Sequence, residues 1–144
     1  HHQSAKVVRF SLWALSNVSI VKQKEVLEYC SQLDFPLVIA RVIMQTTDRQ
    51  VRLEAMWALC NYLYIVSDEI RAKFVFFHEI YAALNDVIDC TVMKVVGIGL
   101  KVTQLMFQVL EGLGGAVADV AQEVGMVTTL HRLMVCCVTG VGDD

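Results

Sequence analysis

Two residue pairs in this chain have the types and spacing needed to grip an extended peptide. Trp13 and Asn17 stand four apart, and so do Trp57 and Asn61. On a helix that interval puts both members on one face, about one turn apart. An asparagine side chain offers a carbonyl acceptor and an NH2 donor, so it can hold the N–H and C=O of a peptide regardless of sequence. An indole face attracts lysine or arginine, covering the aliphatic stem and drawing the cation to its quadrupole for about 0.5–2 kcal/mol. Stacked helices sit ~8–10 Å apart and an extended chain advances ~3.3 Å per residue. Two neighbouring helices bearing such pairs would span about three peptide residues, leaving room for a basic side chain between the indoles. The same interval also suits a plainer arrangement, a core tryptophan beside a surface amide. Repetition separates the two: the pairs lie inside matching strings, WALSN at 13–17 and WALCN at 57–61. Packing alone does not require asparagine at the same place twice.

No other constellation points to chemistry. Five cysteines, Cys30, Cys60, Cys90, Cys136 and Cys137, are odd in number and lack C-x-x-C spacing, so neither a disulfide framework nor a zinc site is expected. They read as reduced, mostly buried thiols. His131 lies near Cys136 and Cys137, but those two cysteines point to different sides of a helix. His78 follows Val75, Phe76 and Phe77 as a boundary residue. The GLGG at 112–115 is a loop without a preceding strand, and so no phosphate cradle. With no nucleophile–base pair, the chain is expected to be no enzyme, with no catalytic residue, metal or cofactor. Twelve basic against fifteen acidic residues give a net charge of −3, which argues against a nucleic-acid partner held by phosphate contacts. A cationic partner suits that balance. The longest charge-free stretch, Ala55 to Ser67, falls short of the ~20 residues a membrane span needs, so no membrane partner is expected.

The elements that must position these pairs are helices. At 56% hydrophobic and 19% charged, with a single proline, the chain is too apolar for disorder and shows little alternation for strands. Around Trp57, Val51, Ala55, Ala58, Leu59 and Tyr62 mark one face, widened by Leu53, Met56, Cys60 and Leu63. A helix this apolar is covered on several sides. Polar breaks at Lys22 to Lys24, Thr46 to Asp48, Ser67-Asp68, Asp89 to Thr91 and Gly112 to Gly115 divide the chain into about eight helices. Asp48, Ser67 and Asp89 sit where N-caps are wanted. The 44-residue separation of the two WALxN strings lies within the period of HEAT and armadillo arrays. A third copy, Val92 to Thr103, is placed 41 residues after Val51 to Tyr62, with Ile98 for the tryptophan and Val102 for the asparagine. The predicted architecture is all-α, a superhelical solenoid of three-helix units. It comprises a partial unit at 5–20, units at 22–64 and 67–110, and a remnant at 116–138. Its first helix is expected to leave an apolar edge at Phe10 and Leu12 uncovered, favouring self-association.

VVRFSLWALSN and VRLEAMWALCN resemble the third helices of armadillo repeats in the importin-α family. The likeness covers nearly the whole chain. Two signature repeats lead into a degenerate one, DVIDCTVMKVVGIGL, then a Gly-rich gap and VAQEVGMVTTLHRLM. That order is similar to the C-terminal part of the array, where the family's minor signal-binding site lies. The resemblance implies a right-handed solenoid and a nuclear-import adaptor, shuttling between nucleus and cytoplasm, that binds basic nuclear localisation signals. It implies importin-β and an export receptor as partners through parts largely absent here, the acidic last repeat being hinted at only by Glu123, Asp143 and Asp144. On it, Trp13 and Trp57 match stacking tryptophans, and Asn17 and Asn61 match backbone-gripping asparagines. Glu54 matches the glutamate that receives a basic side chain, Ser16 a serine near that pocket, and Arg9 a position commonly basic. By residue type alone Glu54 is a solvated carboxylate and Ser16 a tolerated small residue. Three departures stand out. Phe10 replaces a usual glutamate, Asp34 and Glu79 stand where glycines are expected between first and second helices, and YLYIVS follows Asn61 in place of a Gly-rich turn. The competing expectation is a general armadillo or HEAT scaffold that docks a folded partner and grips no extended peptide.

Overall fold

The computed structural model describes the backbone of residues 2–20 and 23–140, with side chains described from Ser4 to Val18 and from Gln23 onward. Lys22, Asp143 and Asp144 lie outside the described residues. Among the described residues the chain is all-α, without strands. Its helices are α1 (His2–Ile20), α2 (Lys24–Gln32), α3 (Phe35–Gln45), α4 (Arg49–Ile65), α5 (Asp68–Ala72), α6 (His78–Ile88), α7 (Met93–Gly112), α8 (Val117–Glu123) and α9 (Met126–Thr139). That is one more than the roughly eight expected from the sequence, and α5 and α8 are the shortest of them.

Helix starts follow local chemistry. The Asp48 carboxylate accepts from the N–H groups of Gln50 and Val51, and Ser67 Oγ accepts from Ile70 N–H, so both cap as their types predict. Asp89 does not. It ends α6, Val92 precedes α7 without a side-chain cap, and the Asp89 carboxylate instead pairs with Arg132 of α9 at 2.9 Å. Asp34 turns the chain from α2 into α3 with φ 55, the left-handed region where a glycine meets no steric cost. Gly125 makes the same turn into α9 at φ 79. Glu79 is not in a connection at all: it lies in the first turn of α6 and reaches Arg41 of α3 at 3.3 Å.

Packing runs in two series. α4 packs against α1 and α7, and α6 packs against α3 and α9, while α3 also covers α4 and α6 covers α7. A single core results, with Ile43, Leu59, Leu63, Ile80, Leu84, Ile88 and Met106 fully enclosed. Tyr62 is buried with its hydroxyl donating to Leu27 O at 2.7 Å, so its polar tip is satisfied across elements. Tyr81 stacks on Phe107 of α7 at 5.4 Å between ring centroids. α7 is long and apolar enough to cross a membrane by length and composition, a property the charge-free stretches do not reveal. Here its Val95, Val102 and Met106 side is buried in the core.

Burial fixes the register between α4 and α7. Val51, Ala55, Ala58 and Tyr62 are buried on α4, and Val95, Gly99, Val102 and Met106, each 44 residues on, are buried on α7. Two surface clefts repeat the interval. Ala5, Val8, Val42, Gln45, Thr46, Thr47 and Asp48 line the first. Arg49, Arg52, Asp86, Asp89, Cys90, Thr91 and Val92, again 44 residues on, line the second. The 41-residue placement of the third copy is therefore corrected. Val102 is wholly buried and cannot occupy the place of Asn61. In the 44-residue register Lys101 stands at the tryptophan position and Leu105 at the asparagine position. Leu12 is likewise corrected: α4 buries it, and only Phe10 of the expected edge is exposed.

Candidate functional site

α4 is enclosed on most of its circumference, and what it leaves open is narrow. From Ala55 to Leu63 only Trp57 and Asn61 escape burial. Glu54, one turn before Trp57, and Tyr64, beyond Asn61, continue the same stripe along the axis. The spacing of three, four and three residues is what a straight helix needs to keep one line facing out. Trp57 is half-buried and its ring rests on the core, while Trp13 on α1 is 59 % exposed. Asn17 follows Trp13 on α1 and is open to solvent. Neither side-chain amide makes a hydrogen bond among the described residues, so both retain donor and acceptor capacity for a guest.

The stripes of α1 and α4 meet in a cleft of about 250 Å³ lined by Arg9, Phe10, Trp13 and Glu54. The cleft thus has an aromatic wall from Phe10 and Trp13, a carboxylate from α4 and a guanidinium from α1. Arg9 and Glu54 share it without forming an ion pair among the described residues. Glu54 supplies the negative charge of the cleft and Arg9 a positive one. Phe10 joins Trp13 as part of the wall.

Ser16 is placed elsewhere. It is half-buried on the side of α1 that carries Leu12 and Leu15 onto α4, and its Oγ is enclosed without a partner. The structure does not bring it to the cleft. Sequence reasoning also missed Lys101, which the 44-residue register sets third in line after Trp13 and Trp57. Lys94, Lys101, Gln104 and Gln108 are exposed on α7, so the open side of the third helix offers cations and amides rather than a second aromatic slot. Its signal was available only through burial, since α7 lacks the WALxN string.

Other ionisable groups are structural in their surroundings. Cys60 is fully enclosed and burial pushes its thiol up to about 12. Burial also raises the Asp86 carboxyl, with Arg52 opposing and Asp89 adding to the shift. His78 lies 3.9 Å from Glu123, both well exposed. Among the described residues no three His, Cys, Asp or Glu side chains gather as a metal ion would require. Comparison with family models, with curated proteins and with solved structures finds no match to this chain.

Proposed function

We propose that this chain binds extended, Lys/Arg-rich peptides along the open stripes of α1 and α4, as a nuclear-import adaptor of the importin-α type binds nuclear localisation signals. The observation that carries the reading is the cleft in which Phe10 and Trp13 of one helix face Glu54 of the next. A lysine or arginine stem lies along the aromatic wall and its charge meets the carboxylate. Asn17 and Asn61, one turn beyond each tryptophan, hold the flanking peptide groups. Arg9, in the same cleft, opposes the guest's positive charge and so reduces the gain from Glu54. Lys101 ends the basic track, because a second cation set against it is disfavoured.

The helices are read as armadillo-type units in a solenoid. In support, α1, α4 and α7 pack in series, α3, α6 and α9 form a parallel series, and burial and clefts recur at 44 residues. On the importin-α reading the protein shuttles between cytoplasm and nucleus with importin-β and an export receptor as partners, and takes neither nucleic acid nor membrane.

The test is a fluorescence titration with a Lys/Arg-rich peptide. Trp13→Ala is the cleaner variant, since Trp13 is largely solvent-exposed, whereas Trp57 also packs on the core and its truncation costs stability. Trp13→Ala and Asn61→Ala are each expected to weaken binding about five- to tenfold, equivalent to ~1–1.4 kcal/mol, with Trp13→Ala leaving the melting temperature unchanged. Undiminished affinity in both would return the chain to a scaffold that docks folded partners.

A further inference from the structure

We propose that the cleft between α4, the end of α6 and the start of α7 binds a small zwitterion of the amino-acid type, an apolar amino acid or dipeptide whose carboxylate meets Arg49 and whose ammonium meets Asp86. The cleft lies in the middle of the fold, where α4 packs between α1 and α7, and α6 between α3 and α9. It encloses about 600 Å³, within the size of small-molecule sites. Its sister cleft, 44 residues earlier, provides an internal control. Where that cleft has Ala5, Val8, Val42 and Gln45, this one has Arg49, Arg52, Asp86 and Asp89. The same notch between helices therefore forms without any of these four charges.

Two of the four are committed to the fold. Asp89 pairs with Arg132 at 2.9 Å, and Arg52 donates to Thr46 O at 2.7 Å. Arg49 and Asp86 make no hydrogen bond or ion pair among the described residues, and each stands where the fold disfavours its charge. Arg49 opens α4, at the positive end of a 17-residue helix, and Asp86 lies in the last turn of α6, at a negative end. Asp86 is also half-buried, which strips water from its carboxylate without giving it a hydrogen-bond partner. Burial raises that carboxyl, and Arg52 opposes the shift only in part. Two opposite charges that burden the fold in one cleft are the mark of a site built for a guest.

The guest follows from the lining. A lone cation would face Arg49 and Arg52, and a lone anion Asp86 and Asp89, so a ligand of one sign is repelled as well as attracted. A molecule carrying both signs satisfies Arg49 and Asp86 together. Met56, which is buried, and Leu53, which is half-buried, form the apolar part of the lining, against which an aliphatic side chain rests. This site lies apart from the α1–α4 cleft, with which it shares no lining residue, and does not depend on the peptide reading.

The test is calorimetric titration of the full chain at pH 7 with leucine and with glycyl-leucine, two zwitterions that differ in the separation of their charges. Leucinamide lacks the carboxylate and N-acetylleucine lacks the ammonium, and each is expected to bind at least about tenfold more weakly than leucine. Arg49→Gln is expected to weaken leucine about tenfold while leaving leucinamide unchanged. Asp86→Asn is expected to weaken leucine similarly while leaving N-acetylleucine unchanged. Asp86→Asn removes a half-buried charge and folds at least as well as the wild type, so its loss of binding is not unfolding; circular dichroism checks both variants. The proposal is overturned if neither zwitterion binds at up to ~10 mM. It is overturned equally if leucinamide or N-acetylleucine matches leucine, or if both variants bind leucine as the wild type does.

Discussion

Gly97 and Gly99 lie two residues apart on α7, and the packing of α6 gives them opposite expected responses to one methyl group. A Cβ on Gly99 would fall 2.5 Å from Val87 Cγ1 and 3.5 Å from Val87 Cβ, whereas nothing lies within 4 Å of the same atom on Gly97. Alanine gains roughly 0.5–1 kcal/mol over glycine in a helix interior at either site. Val87 is fully enclosed and valine is stiff at χ1, so it cannot swing aside. Overpacking of this kind costs about 1–3 kcal/mol. Gly97→Ala should therefore stabilise by about 0.5–1 kcal/mol, and Gly99→Ala should range from neutral to about 2 kcal/mol destabilising. Helix propensity cancels in the comparison, which leaves a difference of ~1–3 kcal/mol due to the clash alone. For a domain of this size each kcal/mol moves the melting temperature by about 3–5 °C, well within reach of circular dichroism. Val87→Ala should rescue Gly99→Ala, with a coupling above about 1 kcal/mol. Equal shifts for the two glycines, or no rescue, would refute the close approach of α6 to α7.

Arg71 is buried with Nε donating to Leu63 O at 2.7 Å, Nη2 to Tyr64 O at 2.7 Å and Nη1 to Asp68 at 2.8 Å. Arg71→Met strands two carbonyls at the end of α4 and should cost on the order of 3 kcal/mol in urea unfolding; a loss under about 1 kcal/mol would contradict it. The raised carboxyl of Asp86 means that the folded chain holds that proton more tightly than the unfolded chain. Its contribution to stability is thus lost as pH rises from the ordinary carboxylate value through the folded one. Asp86→Asn should flatten the stability profile across the acidic range and stabilise the fold at pH 7, and an unchanged profile would count against it. With Cys60 pushed up to about 12 and fully enclosed, iodoacetamide at pH 8 should label the exposed Cys137 first and Cys60 only on unfolding. Labelling of native Cys60 at a comparable rate would show that its enclosure is incomplete.

Helix content and several boundaries were legible because they depend on local chemistry. Asp48 and Ser67 cap through their own oxygens, and Phe35-Pro36 opens α3 where proline loses nothing. The third copy was misplaced by three residues because α7 is apolar on much of its surface. Several registers then match hydrophobic to hydrophobic, and only burial separates Val102 inside from Lys101 outside. Asp89 has a capping residue's type, but Arg132, forty-three positions on, supplies a better charge partner. The pairing of Trp13 with Glu54 depends on the stagger between α1 and α4. A period places equivalent residues on each helix, yet does not say which of them face each other across the seam. Ser16 was assigned by resemblance alone, and the same seam encloses it.

A double-mutant cycle between Glu54 and the guest tests most directly whether the α1–α4 cleft receives a cationic side chain. Glu54→Gln keeps the shape of the cleft and removes its carboxylate, and a peptide with one lysine replaced by norleucine keeps the stem and removes its charge. Affinities of the four combinations, measured at low and physiological salt, should yield a coupling of about 1 kcal/mol for the lysine seated in the cleft, shrinking as salt screens a partly exposed pair. Coupling indistinguishable from zero for every lysine in the peptide would contradict the account, whatever the overall affinity.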